Sequence, residues 1–257
     1  MTEHVRVTFE AGVLRLLLAR PAKKNALTNA MYGALADALR RAEADPEVRA
    51  VLLEAEGDAF TAGNDLGDFA AAASGQLPRS EMRGFDFISR LGRADKPLVA
   101  AVQDLTMSVG VTMLLHCDLV YVAHEARLST PFVNLGLVPE AASSLLLPAR
   151  VGHARAYAMF ALGEAVDGRT AATIGLANAS LPAGEVRAKA LEAAHALAAR
   201  PAEALRATKR LMRDAEAIGA VIAREGAIFN ERLKSSEASE AFKAFAERRS
   251  PDFRNLK

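Results

Sequence analysis

Continuous apolar runs, each leading into a turn and then a helix-like stretch, restrict the fold of this chain more than any other feature. Val48-Arg49-Ala50-Val51-Leu52-Leu53-Glu54-Ala55, Pro97-Leu98-Val99-Ala100-Ala101-Val102 and Leu119-Val120-Tyr121-Val122-Ala123 are such runs. Strands of this kind are buried on both faces, and strands separated by helices pair in parallel, so the fold class is α/β. Ahead of them, Val5 to Phe9 and Val13 to Leu18 flank Ala11-Gly12 and predict a hairpin. Thr28 then reads as the N-cap of a helix with Met31, Leu35, Ala38 and Leu39 on one face, ended by Asp45-Pro46.

From about Gly184 the texture changes. Val186 to Arg200 is an alanine-rich helix, Ala202 to Lys234 reads as one long amphipathic helix, and a last helix covers about Ala238 to Arg248. The pattern divides the chain into a body, residues 1–195, and a helical region, residues 196–257. The tail is an oligomerisation element or the last layer of the same domain, and pattern alone fits both.

Several function classes fall away. With 32 Lys+Arg against 31 Asp+Glu, long-range attraction to nucleic acid or acidic membranes has no basis. Cys117 is the single cysteine, which excludes a disulfide within the chain and a structural zinc site and points to a reducing, cytoplasmic setting. The first ten residues hold no apolar signal core, and no apolar run approaches the roughly 18 residues that span a bilayer. Neither usual nucleotide-binding glycine loop occurs, nor a zinc-protease helix, nor a serine nucleophile elbow. The five histidines form no ligand cluster, so no metal is expected; His116 and Cys117 read as core residues.

Two loops stand out. Gly57 to Leu66 follows a strand and is rich in small residues, so its backbone N–H groups can face a ligand. Ser108-Val109-Gly110-Val111-Thr112 follows another strand and opens a helix, where unpaired N–H groups can hold an oxyanion. Together with Arg20-Pro21, Asn25-Ala26-Leu27, Lys96-Pro97, Cys117-Asp118-Leu119, Leu135-Gly136-Leu137-Val138-Pro139 and Gly175-Leu176-Ala177-Asn178, they make the whole chain resemble the enoyl-CoA hydratase/isomerase (crotonase) superfamily.

The resemblance implies a spiral of ββα turns with a C-terminal helical trimerisation region, and hence a homotrimer or hexamer. It implies an acyl-CoA substrate whose thioester oxygen lies between the backbone N–H groups of Ala62 and Val109. Contacts to substrate would come from Lys24, Ala26, Leu27, Ala62, Gly63, Asn64, Asp65, Leu66, Gly110, Thr112, Pro131 and Phe132, with Asp65 serving mainly as a turn cap. CoA arrives with the substrate, so no separate cofactor is implied. Hydratases of the family carry two glutamates, and the matching positions here are Thr112 and Phe132. Gly63-Asn64-Asp65-Leu66 and Pro139-Glu140 with Ser143-Ser144 instead resemble the peroxisomal-type Δ3,Δ2-enoyl-CoA isomerases, which makes Glu140 the catalytic base. The alternatives are a hydratase or other enolate chemistry of the superfamily, and a non-catalytic acyl-CoA-binding module. Acyl specificity is expected to depend in part on the segment from Phe69 to Leu91.

Overall fold

A computed structural model describes residues 2–73, 76, 78 and 81–254. The hairpin forms as expected from β1 (Val5–Glu10) and β2 (Val13–Leu18), paired antiparallel. Ala11 and Gly12 turn it at φ 47° and 80°. Three fully or almost fully buried strands follow in parallel register: β3 (Ala50–Ala55), β5 (Leu98–Val102) and β7 (Leu119–Ala123). Each is continued by a short strand of a second sheet, namely β4 (Ala59–Thr61), β6 (Leu105–Met107) and β8 (Arg127–Ser129). With β9 (Val166–Asp167) and β10 (Ala179–Leu181), the sheet orders are β1-β2-β3-β5-β7-β10 and β4-β6-β8-β9. One strand to each sheet and then a helix makes one turn of the expected ββα spiral.

The helices between strands are α1 (Asn29–Ala44), α2 (Leu66–Ala73), α3 (Gly84–Arg93), α4 (Val109–Leu114), α5 (Ser143–Val151), α6 (His153–Tyr157) and α7 (Gly168–Thr173). Thr28 caps α1 by accepting from the Met31 N–H at 3.2 Å, and Met31, Leu35, Ala38 and Leu39 are all buried. His116 and Cys117 lie in the core, as expected.

The C-terminal part differs from expectation in two places. The alanine-rich helix α8 (Ala183–Ala198) lies against β3, β5 and β7, its buried face made of Val186, Ala190 and Ala194. Small side chains let its backbone approach the sheet closely, and Arg187 pairs with the buried Glu54 of β3 at 3.1 Å. The division between residues 195 and 196 therefore falls inside a helix of the body. The expected single helix from Ala202 to Lys234 is two, α9 (Ala202–Met212) and α10 (Ala215–Arg232). Arg213 is extended, and Asp214 caps α10 by accepting from Glu216 and Ala217 N–H groups. A side chain that satisfies the first N–H groups of a new helix stabilises the break, typically by about 1 kcal/mol. The last helix is α11 (Ser236–Ala246). Among the described residues, no helix is long and apolar enough to cross a membrane.

Candidate active site

Strands β4, β6 and β8 lie side by side in parallel, so the segments that follow them meet at one end of the small sheet. These segments are residues 62–65, residues 108–112 and residues 130–142. Two glycines set how closely the first two approach. A Cβ on Gly63 would meet the Met107 carbonyl oxygen at 3.3 Å and Ser108 Cβ at 3.3 Å. On Gly110 it would meet the Thr61 methyl at 2.5 Å. Thr61 cannot yield easily, because its hydroxyl donates to the Asn25 carbonyl at 2.7 Å. We expect Gly110→Ala to cost about 1–3 kcal/mol, as overpacked cores do. Calorimetry should then show a melting temperature lower by about 2–8 °C; an unchanged value would mean that this contact is loose.

The backbone donors differ from the expected pair. The Ala62 N–H donates to the Lys24 carbonyl at 2.9 Å, so it is not available to a ligand. Gly63 N–H donates to Thr61 Oγ1, and Asp65 N–H to the Leu27 carbonyl. Among the described residues, the Asn64 N–H between them has no acceptor, and neither has that of Val109. Ser108, just before Val109, takes φ 51° and ψ −117°. Such a conformation costs a non-glycine residue on the order of 1–3 kcal/mol, and it aims the start of α4.

Glu140 is buried, and Thr112 Oγ1 donates to its Oε1 at 2.5 Å. Burial pushes its carboxyl up, against the pull of the Thr112 hydrogen bond and with help from the Glu225 charge, to about 7. Glu140 lies three residues ahead of α5, and the two residues after it, Ala141 and Ala142, are left-handed at φ 61° and 56°. The anion at the start of α5 is instead Glu225 from α10, which accepts from the Ala142 N–H at 2.6 Å and the Ser144 N–H at 2.9 Å. A helix N-terminus favours a charged carboxylate. Glu225 takes that place, although burial raises its carboxyl against the pull of the Ser144 and Ala142 hydrogen bonds, and Glu140 keeps the apolar one.

Glu140 lines a pocket of about 140 Å³ whose walls are mostly apolar: Leu27, Met82, Phe85, Ile88 and Phe229, with Tyr32 at one side. Tyr32 donates to Asn64 Oδ1 at 2.5 Å. Burial and the Glu140 charge hold the Tyr32 phenol well above its ordinary range, so it stays protonated. Of the expected contacts, Leu27, Asn64 and Asp65 line this pocket, and so do Met82, Gly84, Phe85 and Ile88 of the segment from Phe69 to Leu91. Residues 74, 75, 77, 79 and 80 of that segment lie outside the described residues.

The other expected contacts have other duties. Asp65 receives Arg20 Nη1 at 2.7 Å and caps α2 by accepting from Gly67 and Asp68 N–H groups. Burial works to raise its pKa, but the Arg20 and backbone hydrogen bonds outweigh it and hold the carboxyl below the usual range. Lys24 is exposed and pairs with Asp58. Leu66 is exposed at the start of α2, and Ala26 and Pro131 do not line the pocket. Phe132, an expected contact, is instead buried against Phe160, ring centroids 6.1 Å apart, and does not line the pocket. Among the described residues, no group of three or more His, Cys, Asp or Glu side chains is placed to share a metal ion.

Residues 8–256 match the profile described as Enoyl-CoA hydratase/isomerase. The chain belongs to the enoyl-CoA hydratase/isomerase family. It is 32% identical over 250 residues to enoyl-CoA delta isomerase 2 of Rattus norvegicus, covering 95% of this chain and 64% of that protein. The chain thus spans less than two thirds of that relative. It is 31% identical over 255 residues to 2,3-dehydroadipyl-CoA hydratase of Escherichia coli (strain K12), covering 96% of this chain and 97% of the other. Among solved structures, the enoyl-CoA hydratase/isomerase from Pseudoalteromonas atlantica T6c superposes with a TM-score of 0.92 at 41% identity, covering 98% of this chain and all of that one. Pseudomonas aeruginosa OdaA does so at 0.90 and 45%, covering 95% and 99%. The fold is the crotonase fold.

For this member of the family, sequence reasoning missed Tyr32, Asn29, Asp68, Gly226, Phe229 and Asn230 of the pocket wall. Tyr32 belongs to the buried stripe of α1, which gives no sign of a pocket. The α10 residues lay in a helix read as a packing or oligomerisation element. Their spacing, 226, 229 and 230, is one helical face, and that was the available signal.

Proposed function

We propose that this protein is a Δ3,Δ2-enoyl-CoA isomerase, with Glu140 as a single proton shuttle. The observation that carries the reading is one buried carboxylate, titrating near 7, that opens on an apolar pocket. Near neutral pH a large fraction of such a carboxylate is ionised, yet it still binds protons strongly enough to act as a base and then as an acid. Thr112 occupies Oε1, which leaves Oε2 to take the proton from C2 of a 3-enoyl thioester. The electron pair moves toward the thioester oxygen, the double bond shifts between C2 and C3, and the same proton returns at C4.

The dienolate between the two steps needs hydrogen-bond donors at its oxygen. Val109 N–H and Asn64 N–H, rather than that of Ala62, fill this role. Fixed donors of this kind contribute about 3–4 kcal/mol each to a developing oxyanion. A hydration mechanism with two carboxylates finds less support. Thr112 has a hydroxyl in place of one acid, Phe132 faces the core in place of the other, and Asp65 is tied to Arg20. CoA enters with the substrate, so no resident cofactor is part of the proposal. We further propose a trimer or hexamer, supported by Leu211 and Met212, which stand 89% and 83% exposed at the end of α9. Sedimentation as a monomer alone would remove that part.

The deciding assay presents the purified protein with trans-3-hexenoyl-CoA and, separately, with trans-2-hexenoyl-CoA. Conversion of the first without hydration of the second is the expected result. Hydration of the 2-enoyl ester would replace this reading by that of a hydratase, and CoA binding without turnover of either by that of a binding module.

A further inference from the structure

The turn that carries Glu140 is held from two sides by ionisable groups that do not line its pocket. On one side, His116 lies one helical turn beyond Thr112. Its Nε2 is 2.7 Å from the Ala141 carbonyl oxygen, and Arg213 donates to its Nδ1 and, at 3.1 Å, to its backbone carbonyl. An Nδ1 that accepts from a guanidinium leaves the ring proton on Nε2, so the imidazole donates to Ala141. Burial and the Arg213 charge push His116 down to about 3, which keeps it neutral. Arg213 is the extended residue at the break between α9 and α10. On the other side, Glu225 holds the N–H groups of Ala142 and Ser144.

Ala141 and Ala142 are therefore fixed at a carbonyl and at an N–H, in a left-handed conformation that alanine rarely adopts. We infer that His116, oriented by Arg213, and Glu225 are positioning residues that hold the Ala141–Ala142 turn and thereby aim the Glu140 carboxylate into the pocket. The inference rests on the proposed role of Glu140. It assigns the α9–α10 layer a direct part in the reaction centre. Around Glu140 the other titratable groups are Tyr32 from α1 and, lining the same pocket, Asp65 and Asp68. Arg213 stands behind His116, and Arg224 acts on Glu225.

The test compares His116→Leu, His116→Gln and Glu225→Gln. His116→Leu should lower kcat about tenfold with KM within about twofold, because the base is misplaced while the acyl pocket is intact. His116→Gln should recover most of that loss, since its amide N–H can donate to Ala141. Glu225→Gln removes a negative neighbour, so the acid limb of kcat/KM should move about half a pH unit lower. The Glu140 carboxyl carbon, assigned by its absence in Glu140→Gln, can be titrated by carbon-13 NMR and should move by the same amount without any turnover. If His116→Leu and Glu225→Gln change only thermal stability, with kcat and the Glu140 titration as in wild type, the positioning role is overturned. If wild type isomerises no 3-enoyl ester, the proposed reaction falls; a Glu140 titration displaced in His116→Leu, which removes no charge, then keeps the positioning role, and an unmoved one overturns it. Should His116→Leu fail to fold, kcat of Glu225→Gln decides: a loss of about tenfold with KM within about twofold supports the positioning role, and wild-type kcat overturns it.

Discussion

Glu140→Gln is expected to lower isomerisation of a 3-enoyl-CoA by about 100- to 10,000-fold, the range typical for loss of a general base, with acyl-CoA affinity little changed. The variant keeps the shape of the side chain and a carbonyl oxygen for Thr112 to donate to, but it has no site for the C2 proton. In the wild type the same assignment fixes the pH dependence. The base must be unprotonated, and Glu140 titrates near 7. The rate as kcat/KM should therefore be level above about pH 8 and fall about tenfold per pH unit once the pH is well below 7. The free enzyme governs that quantity, so the limb is read there and not in kcat. A Glu140→Gln enzyme with more than a tenth of wild-type isomerase activity, or a limb near pH 4.5, would assign the proton transfer to another group.

The same substitution should make the protein more stable. In the unfolded chain this carboxyl titrates near 4.5, and in the native state near 7. Between those values the native state binds the proton more tightly than the unfolded state does, so wild-type stability declines as the pH rises from 4.5 to 7 and is level above. The full difference corresponds to about 3 kcal/mol. Glutamine never acquires the charge, so its advantage should be nil below pH 4.5 and reach its full size above pH 7. Denaturant midpoints at pH 4, 6 and 8, at one protein concentration, check this. No gain at pH 8 would mean that the ionised Glu140 is not held at a cost. A base whose removal both abolishes turnover and stabilises the fold bears the mark of a site selected for chemistry rather than for stability.

The fold was legible where the chain is long and continuous in its pattern. The buried runs that became β3, β5 and β7 need no tertiary information to be recognised, and Thr28 announces α1. The strands of the small sheet, two or three residues each, are too short to show a period, and only the family resemblance anticipated them. The break at Arg213 carries no proline or glycine, so the amphipathic stripe ran through it unmarked; Asp214 as an N-cap was the one local sign. At the site, the reading of Glu140 as a base rests on the resemblance, and the structure adds its burial beside the pocket. The Ala62 assignment failed because a backbone donor is identified by what it already binds, and its acceptor, the Lys24 carbonyl, lies 38 residues earlier. Phe132 failed for a similar reason. Its place in the chain matches a catalytic position, but its side chain packs in the core beside Phe160.

One turn and a half of α10 carries two unrelated responsibilities. Glu225 anchors the turn that bears Glu140, the proposed base, while Gly226, Phe229 and Asn230 form the pocket wall on the same stretch. Selection that reshapes this wall for a new acyl group acts one peptide bond away from the residue that steadies the proton acceptor. A lineage of such enzymes would then inherit acyl preference and working pH together, and a graft of α10 from one member to another would be expected to transplant both at once.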